Sequence, residues 1–253
     1  MKRVVMIGSG NVATSLALAL KDKCEIAQVY SRTLANAESL AERVGALATN
    51  DLKALVNNAQ AYIISVKDDA IATVVDAIPD NGALWLHTSG STSVSVFDGK
   101  RRRCGVLYPL QSFSKSHPAC MSEVHFFVEG CDTAVTREIM AFAREISENV
   151  HEASSQDRQR LHVAAVFACN FANHMFTLAG EVLGEAGLPF DSMLPLIKTT
   201  VAKLDNMTPQ ESQTGPAARG DKKIIAAHLA TLNDDKKDIY QLLSKSIMSR
   251  SNS

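Results

Sequence analysis

At 253 residues the chain can hold one large domain or two modest ones, each with its own core. Its 46% hydrophobic and 21% charged residues suit a globular protein, and a formal net charge of -1 excludes any global attraction to nucleic acid or an anionic membrane. The start, MKRVVMIGSG, has too few apolar residues for a signal peptide, and the longest apolar runs, such as 163–169, are too short to cross a bilayer.

Five scattered cysteines without a C-x-x-C pair fit reduced thiols, so a soluble cytoplasmic protein is expected. In chain order, short apolar runs at 4–7, 26–30, 61–66 and 83–87, with shorter ones near 105–108 and 124–128, read as strands covered on both faces. Between them Val12, Ala13, Leu16, Ala17 and Leu20 recur at helical spacing, and segments 35–44 and 70–77 behave alike. Such alternation predicts an α/β fold with a doubly wound, mostly parallel sheet of Rossmann type. The run Lys100-Arg101-Arg102-Arg103 reads as a solvated turn, or else as a phosphate or nucleic-acid patch. Near residue 152 the alternation stops. A long helix over 155–186 follows, then helical segments near 191–204, 221–232 and 234–248, with Pro189, Pro195, Pro209 and Pro216 in the gaps. A nucleotide-binding domain over 1–152 and an all-α domain over 153–253 are therefore expected.

The first strand runs into Gly8-Ser9-Gly10-Asn11-Val12-Ala13, a G-x-G-x-x-A turn opening a helix. Gly8 permits the tight turn, Gly10 lets a pyrophosphate approach the backbone, and Ala13 lets helix and strand pack closely. The free N–H groups and dipole of the helix then face the phosphates. At the end of the second strand, where NAD-binding proteins carry an acid for the adenosine ribose, this chain has Ser31, Arg32 and Thr33. A carboxylate would repel a 2′-phosphate, whereas a guanidinium can form charge-assisted bonds to it, with the two hydroxyls adding neutral ones. The pattern predicts NADP rather than NAD. Because ligands lie beyond the carboxyl ends of the strands, Ser65, Val66 and Lys67, then His87, Thr88 and Ser89, are placed near the ribose and nicotinamide.

The GSGNVA loop, the SRT after strand two, YPLQSF at 108–113, HVAAVFACNFANH at 162–174 and TGPAARGD at 214–221 together resemble a bacterial group of proteins assigned as NADP oxidoreductases. That group joins a Rossmann-like domain to a C-terminal helical domain of unknown function, of the kind at the C-terminus of 6-phosphogluconate dehydrogenase. It is similar, more distantly, to pyrroline-5-carboxylate reductase, to deazaflavin-dependent NADP reductases and to β-hydroxyacid dehydrogenases. The resemblance implies hydride transfer involving a small substrate in a cleft between the domains, in a homodimer joined by the helical halves. The β-hydroxyacid dehydrogenases carry a Lys four residues before an Asn on the long helix; if Asn170 is that Asn, Val166 holds the lysine's place and cannot move a proton. Reduction of a C=N bond survives that departure better than oxidation of a hydroxyacid.

On the long helix His162, Val166, Asn170, Asn173 and Thr177 fall on one stripe at α-helical spacing, lining a cleft or pairing across a helix interface. The cleft reading makes His162 an acid and Asn170 a substrate anchor. Arg219 could reach a substrate carboxylate or a cofactor phosphate, or could pair with Asp221, itself a plausible N-cap. Gln111 and Ser112 are weaker cleft candidates. No metal site is expected, since the seven histidines lack zinc-like spacing. Two other readings stand beside a reductase of small imines or carbonyls: a non-catalytic NADP sensor, and a methyltransferase, against which the Ser-Arg pair speaks.

Overall fold

The computed structural model describes residues 1–114, 116 and 119–251; His117, one of the histidines weighed for a metal, and the last two residues of the Ser-rich end lie outside them. Two compact units divide the chain, Met1–Asn170 and Phe171–Ser253.

The first unit alternates as the sequence predicts: β1 (Arg3–Ile7), α1 (Asn11–Leu20), β2 (Glu25–Tyr30), α2 (Leu34–Val44), β3 (Leu47–Thr49), β4 (Ala61–Ile64), α3 (Asp68–Ala77), β5 (Leu84–His87), β6 (Cys104–Leu110), β7 (His125–Gly130), α4 (Thr133–Ala143) and β8 (Val150–Glu152). These strands form one eight-stranded sheet in the order β3-β2-β1-β4-β5-β6-β7-β8. All neighbours are parallel except β6 and β7. Successive residues of β1 face opposite sides, so Val4 and Met6 join one core layer and Val5 and Ile7 the other. That two-sided burial is why the central strands read as unbroken apolar runs. The strands β3 and β8 and the helix α4 are additions to the expected set; three-residue strands are too short to show periodicity, and each lies on a parallel neighbour. The predicted strand 61–66 ends at Ile64, leaving Ser65 and Val66 in the turn to α3.

The basic run is a turn whose Lys100 and Arg102 are exposed, as expected, and it departs from a solvated reading at Arg101. Arg101 is buried, donates to the carbonyls of Val75 and Ile78 at the end of α3, and lies 4.4 Å over the Trp85 ring. Lys100, Arg102 and Arg103 pair with Asp76, Asp80 and Glu138. Each cation is already spoken for, and the run braces α3 against β5.

The long helix runs as α5 (Ser155–Ala165), a π-helical segment (Val166–Phe171) and α6 (Ala172–Glu185). An i→i+5 turn uses about one residue more than an α turn, so Asn173 and Thr177 fall off the line through His162 that regular spacing predicts. By length and composition the stretch Ser155–Glu185 also meets the test for a membrane-crossing helix, a test that a core helix of a soluble protein meets as well. The change of pattern near 152 also precedes the division between units. The reason is Arg158, whose side chain is wholly buried and ties α5 to the sheet.

The second unit continues from α6 into α7 (Leu194–Ala202), α8 (Lys222–Thr231) and α9 (Asp234–Ser251). Asp221 caps α8 by accepting from Ile224 N–H at 3.2 Å. Among its described residues only Ala217 and Ser244 are buried, while Leu196, Val201 and Leu242 are 60%, 59% and 69% exposed. All five cysteines are free thiols, Cys24 and Cys104 buried and Cys120, Cys131 and Cys169 exposed.

Candidate functional site

A cleft of about 820 Å³ opens at the carboxyl edge of the sheet in the first unit. The glycine loop forms one wall. Gly8 has φ 129°, and a Cβ there would collide with the Ser65 carbonyl, so the residue is required both for the turn and for packing of β1 against the β4 loop. Gly10 is the N-cap of α1 and has ordinary φ; a Cβ on it would meet nothing within 4 Å. That open space lies over a helix start with no acidic residue in its first turn and no side-chain cap, which leaves its N–H groups for a phosphate. Ala13 is wholly buried and serves packing alone. Asn11 donates to the Phe113 carbonyl at 3.0 Å and so ties the chain after β6 to this loop.

Ser9 donates to Ser31 across 2.9 Å, joining the glycine loop to the end of β2. Next to it Arg32 is exposed on the cleft wall, and among the described residues no partner is recorded for its guanidinium. Thr33 is the N-cap of α2 but makes no side-chain capping bond, and that helix too lacks an acid in its first turn. The residues present therefore fit a dinucleotide with an extra phosphate: open backbone at Gly10, an uncommitted cation at Arg32, and no carboxylate at the ribose position. Thr33 itself lies outside the lining.

Ser65, Val66 and Lys67 line the cleft, as do Thr88 and Ser89, but several of these side chains are already committed. Thr88 donates to Ser65 Oγ at 3.1 Å, and Ser89 Oγ accepts from the N–H groups of Ser91 and Thr92. These hydroxyls frame the wall. His87 does not reach the cleft at all. It is fully buried, stacks on Phe97 at 5.7 Å, and its Nδ1 accepts from Ser89 N–H at 3.2 Å. Burial first, and the nearby Arg158 charge second, push its pKa down to about 3. A neutral, enclosed imidazole holds the loop and donates no proton to a ligand.

The far end of the cleft carries a group absent from the sequence-based candidates. Tyr108, near the end of β6, is buried, and its hydroxyl lies 3.1 Å from Nδ1 of His162 on α5. Gly90 closes over the pair so tightly that a Cβ would stand 2.8 Å from Tyr108 Cζ and 2.9 Å from His162 Nδ1. One turn before His162, the Arg158 guanidinium pairs with Glu129 at 2.6 Å and donates to the carbonyls of Ser89 and Thr92 and to Ser155 Oγ. Arg158 thus fixes both α5 and the loop that carries Gly90. Tyr108 stands near the end of its strand at the ligand edge, and that was the available signal. Arg158 gave none, because its acid lies on a distant strand.

Gln111 lines the cleft, whereas Ser112, Asn170 and Arg219 do not. Asn170 is exposed in the π-helical segment, and Arg219 is exposed in the second unit, where Asp221 serves the helix start and forms no recorded pair with it. Among the described residues no three His, Cys, Asp or Glu side chains cluster as a metal requires.

Comparison with known proteins agrees with this geometry. Residues 3–85 match the family described as NADP oxidoreductase coenzyme F420-dependent, and residues 124–247 match a domain of unknown function, DUF2520. A protein of Bacteroides fragilis assigned as an NADP oxidoreductase is 43% identical, with 98% of each chain covered and a TM-score of 0.91. The chain belongs to this NADP oxidoreductase family. Two further structures share the fold alone. An imine reductase from Myxococcus stipitatus in complex with NADP+ is 16% identical over 98% of this chain and 92% of its own, TM-score 0.64. A 1-pyrroline-5-carboxylate reductase from Streptococcus pyogenes is 12% identical over 98% of both, TM-score 0.66. No curated protein matches. Within the NADP oxidoreductase family match lie the glycine loop, Ser31-Arg32-Thr33 and Ser65–Lys67; the DUF2520 match begins inside the sheet and takes in Arg158 and His162. Gly90 and Tyr108 fall between the two.

Proposed function

We propose that the protein is an NADPH-dependent reductase of a small imine or carbonyl compound. The observation that carries this reading is Arg32, uncommitted on the cleft wall beside Ser31 where a NAD-binding protein would place an acid. The reduced nicotinamide, when bound, supplies a hydride. The chain's own residues would hold it: Gly10, with open space at its Cβ position, would admit the pyrophosphate, Arg32 and Ser31 would take the 2′-phosphate, and Ser65–Lys67 and Thr88–Ser89 would border the rest of the nucleotide. His162, which lines the cleft, is a proposed proton source. The fold shared with an imine reductase that binds NADP+ supports a C=N substrate, and the name of the Bacteroides fragilis relative supports NADP over coenzyme F420.

The exposed apolar side chains of the second unit support a homodimer formed through the helical region. The long helix carries His162, Asn170, Asn173 and His174 along its length, and those polar groups favour a protein partner over lipid. A cytoplasmic location goes with this reading.

A hydrogen bond to a charged group is worth about 1.5–3 kcal/mol, so Arg32→Ala should weaken NADPH binding roughly ten- to a hundredfold and leave NADH binding nearly unchanged. Isothermal titration calorimetry with both nucleotides tests it; equal losses for the two would refute it. Tight NADPH binding with no oxidation across a wide panel of imines and carbonyls would instead favour a sensor.

A further inference from the structure

We propose that Tyr108 delivers the proton in this reaction and that His162 resupplies it. The inference rests on the reductase reading and names the acid that reading requires.

Three separate elements converge on the Tyr108 hydroxyl. The strand β6 carries it to the carboxyl edge of the sheet, α5 presents His162 Nδ1 at 3.1 Å, and the loop after β5 presses Gly90 against both. Only a glycine allows that approach. The pair cannot drift apart, because Arg158, wholly buried one turn before His162, holds α5 to Glu129 and to the Ser89 and Thr92 carbonyls. Both rings line the cleft. Burial raises the Tyr108 pKa, the Asp68 charge adds to the rise and Arg158 opposes it, so the phenol keeps its proton at neutral pH and is an acid in waiting. His162 is half-buried, and among the described residues no partner is recorded for its Nε2, which leaves that nitrogen for exchange with water.

Reduction adds a hydride, with its two electrons, to the carbon of C=N or C=O, and a proton to the nitrogen or oxygen. The reduced nicotinamide gives the hydride. The Tyr108 O–H bond breaks as the new N–H or O–H bond forms. His162 takes a proton from water at Nε2 and, as an imidazolium, passes its Nδ1 proton to the phenolate oxygen; exchange with water then moves the remaining proton from Nε2 back to Nδ1. The direction of the Tyr108–His162 hydrogen bond is therefore fixed: imidazole N–H donates and the phenol oxygen accepts, with the phenol O–H turned to the substrate.

Two measurements test this, one of them independent of turnover. In the ¹⁵N NMR spectrum of the unliganded full-length protein, neutral His162 should carry its proton on Nδ1, and Tyr108→Phe should return it to Nε2. In steady-state oxidation of NADPH with a panel of cyclic imines and α-keto acids, Tyr108→Phe should lower kcat roughly 100-fold, the usual size of a general-acid contribution, with NADPH Kd and substrate KM changed less than about twofold. His162→Asn keeps an N–H close to the Nδ1 position and should lose only about tenfold. The assignment is overturned if His162 holds its proton on Nε2 and accepts from the phenol, or if Tyr108→Phe turns over within about threefold of the wild type. A wild-type protein that binds NADPH yet turns over no member of the panel overturns the reductase reading and the assignment together.

Discussion

Replacing Arg158 by Met removes a charge from a fully buried position while keeping a long side chain there. The structure sets the cost: Glu129 loses its ion pair at 2.6 Å, and the Ser89 carbonyl, the Thr92 carbonyl and Ser155 Oγ lose donors at 3.2, 2.7 and 3.2 Å. Removing one partner of a buried pair costs about 3–5 kcal/mol. Glu129 is 19% exposed and can recover some water, which favours the lower end, about 3 kcal/mol. For a chain of this size that is a drop in Tm of roughly 6–12 °C. Urea denaturation followed by circular dichroism reads the same loss as a lower midpoint at unchanged slope. The double variant Glu129→Gln with Arg158→Met should recover at least about 1 kcal/mol of the single loss, because no unpaired charge is left. A single variant within about 1 kcal/mol of the wild type, or a cycle with no coupling, would refute the claim that this pair anchors α5.

Other outcomes follow from the same geometry. His87 has a folded pKa near 3 against 6.5 when free, so the unfolded chain binds more protons between those values, and stability present above pH 6.5 is lost as the pH falls. Between pH 7 and pH 5 this loss is about 2 kcal/mol, and His87→Gln, which keeps an acceptor for Ser89 N–H, should flatten the dependence in chemical denaturation curves; an unchanged pH profile would count against the burial of a neutral ring. Gly8→Ala should cost both stability and NADPH binding, since its Cβ falls on the Ser65 carbonyl at a φ that only glycine tolerates. Gly10→Ala should keep the Tm within about 2 °C and still lose NADPH affinity at least tenfold, because its methyl group fills only the space left for the pyrophosphate. Paired melting and calorimetry decide between the two, and equal Tm losses would contradict the distinction.

The glycine turn was legible because each of its residues has a local physical reason: Gly8 for a left-handed turn against the Ser65 carbonyl and Gly10 for open space at the start of α1, while Arg32 lies exposed on the wall where the second strand ends. The two-sided core of β1, β4 and β5 was legible for a similar reason, since a short unbroken apolar run suits a strand covered on both faces and suits no half-solvated element. The features that were not legible depend on contacts between distant segments. His87 sits at the expected edge of the sheet, yet its ring turns inward onto Phe97. The basic run is committed to α3 and to Asp76, Asp80 and Glu138, none of which is near it in sequence. Tyr108 and His162 are 54 residues apart. Constant α spacing puts the polar residues of the long helix on one stripe, and the π-helical segment at Val166–Phe171 breaks that spacing without any proline or glycine to announce it.

The second unit, with just Ala217 and Ser244 shielded among its described residues, has consequences for how the chain comes into being. A bundle with so little interior cannot be held in shape by its own side chains. In a homodimer of the kind proposed above, a newly synthesised chain would present these apolar helices until its partner covers them, and over that interval the exposed surface would favour aggregation. Under that proposal dilution should lower the melting point of these helices, whereas the sheet of the first unit should melt at the same temperature at any concentration; a helical melt independent of concentration would count against the dimer.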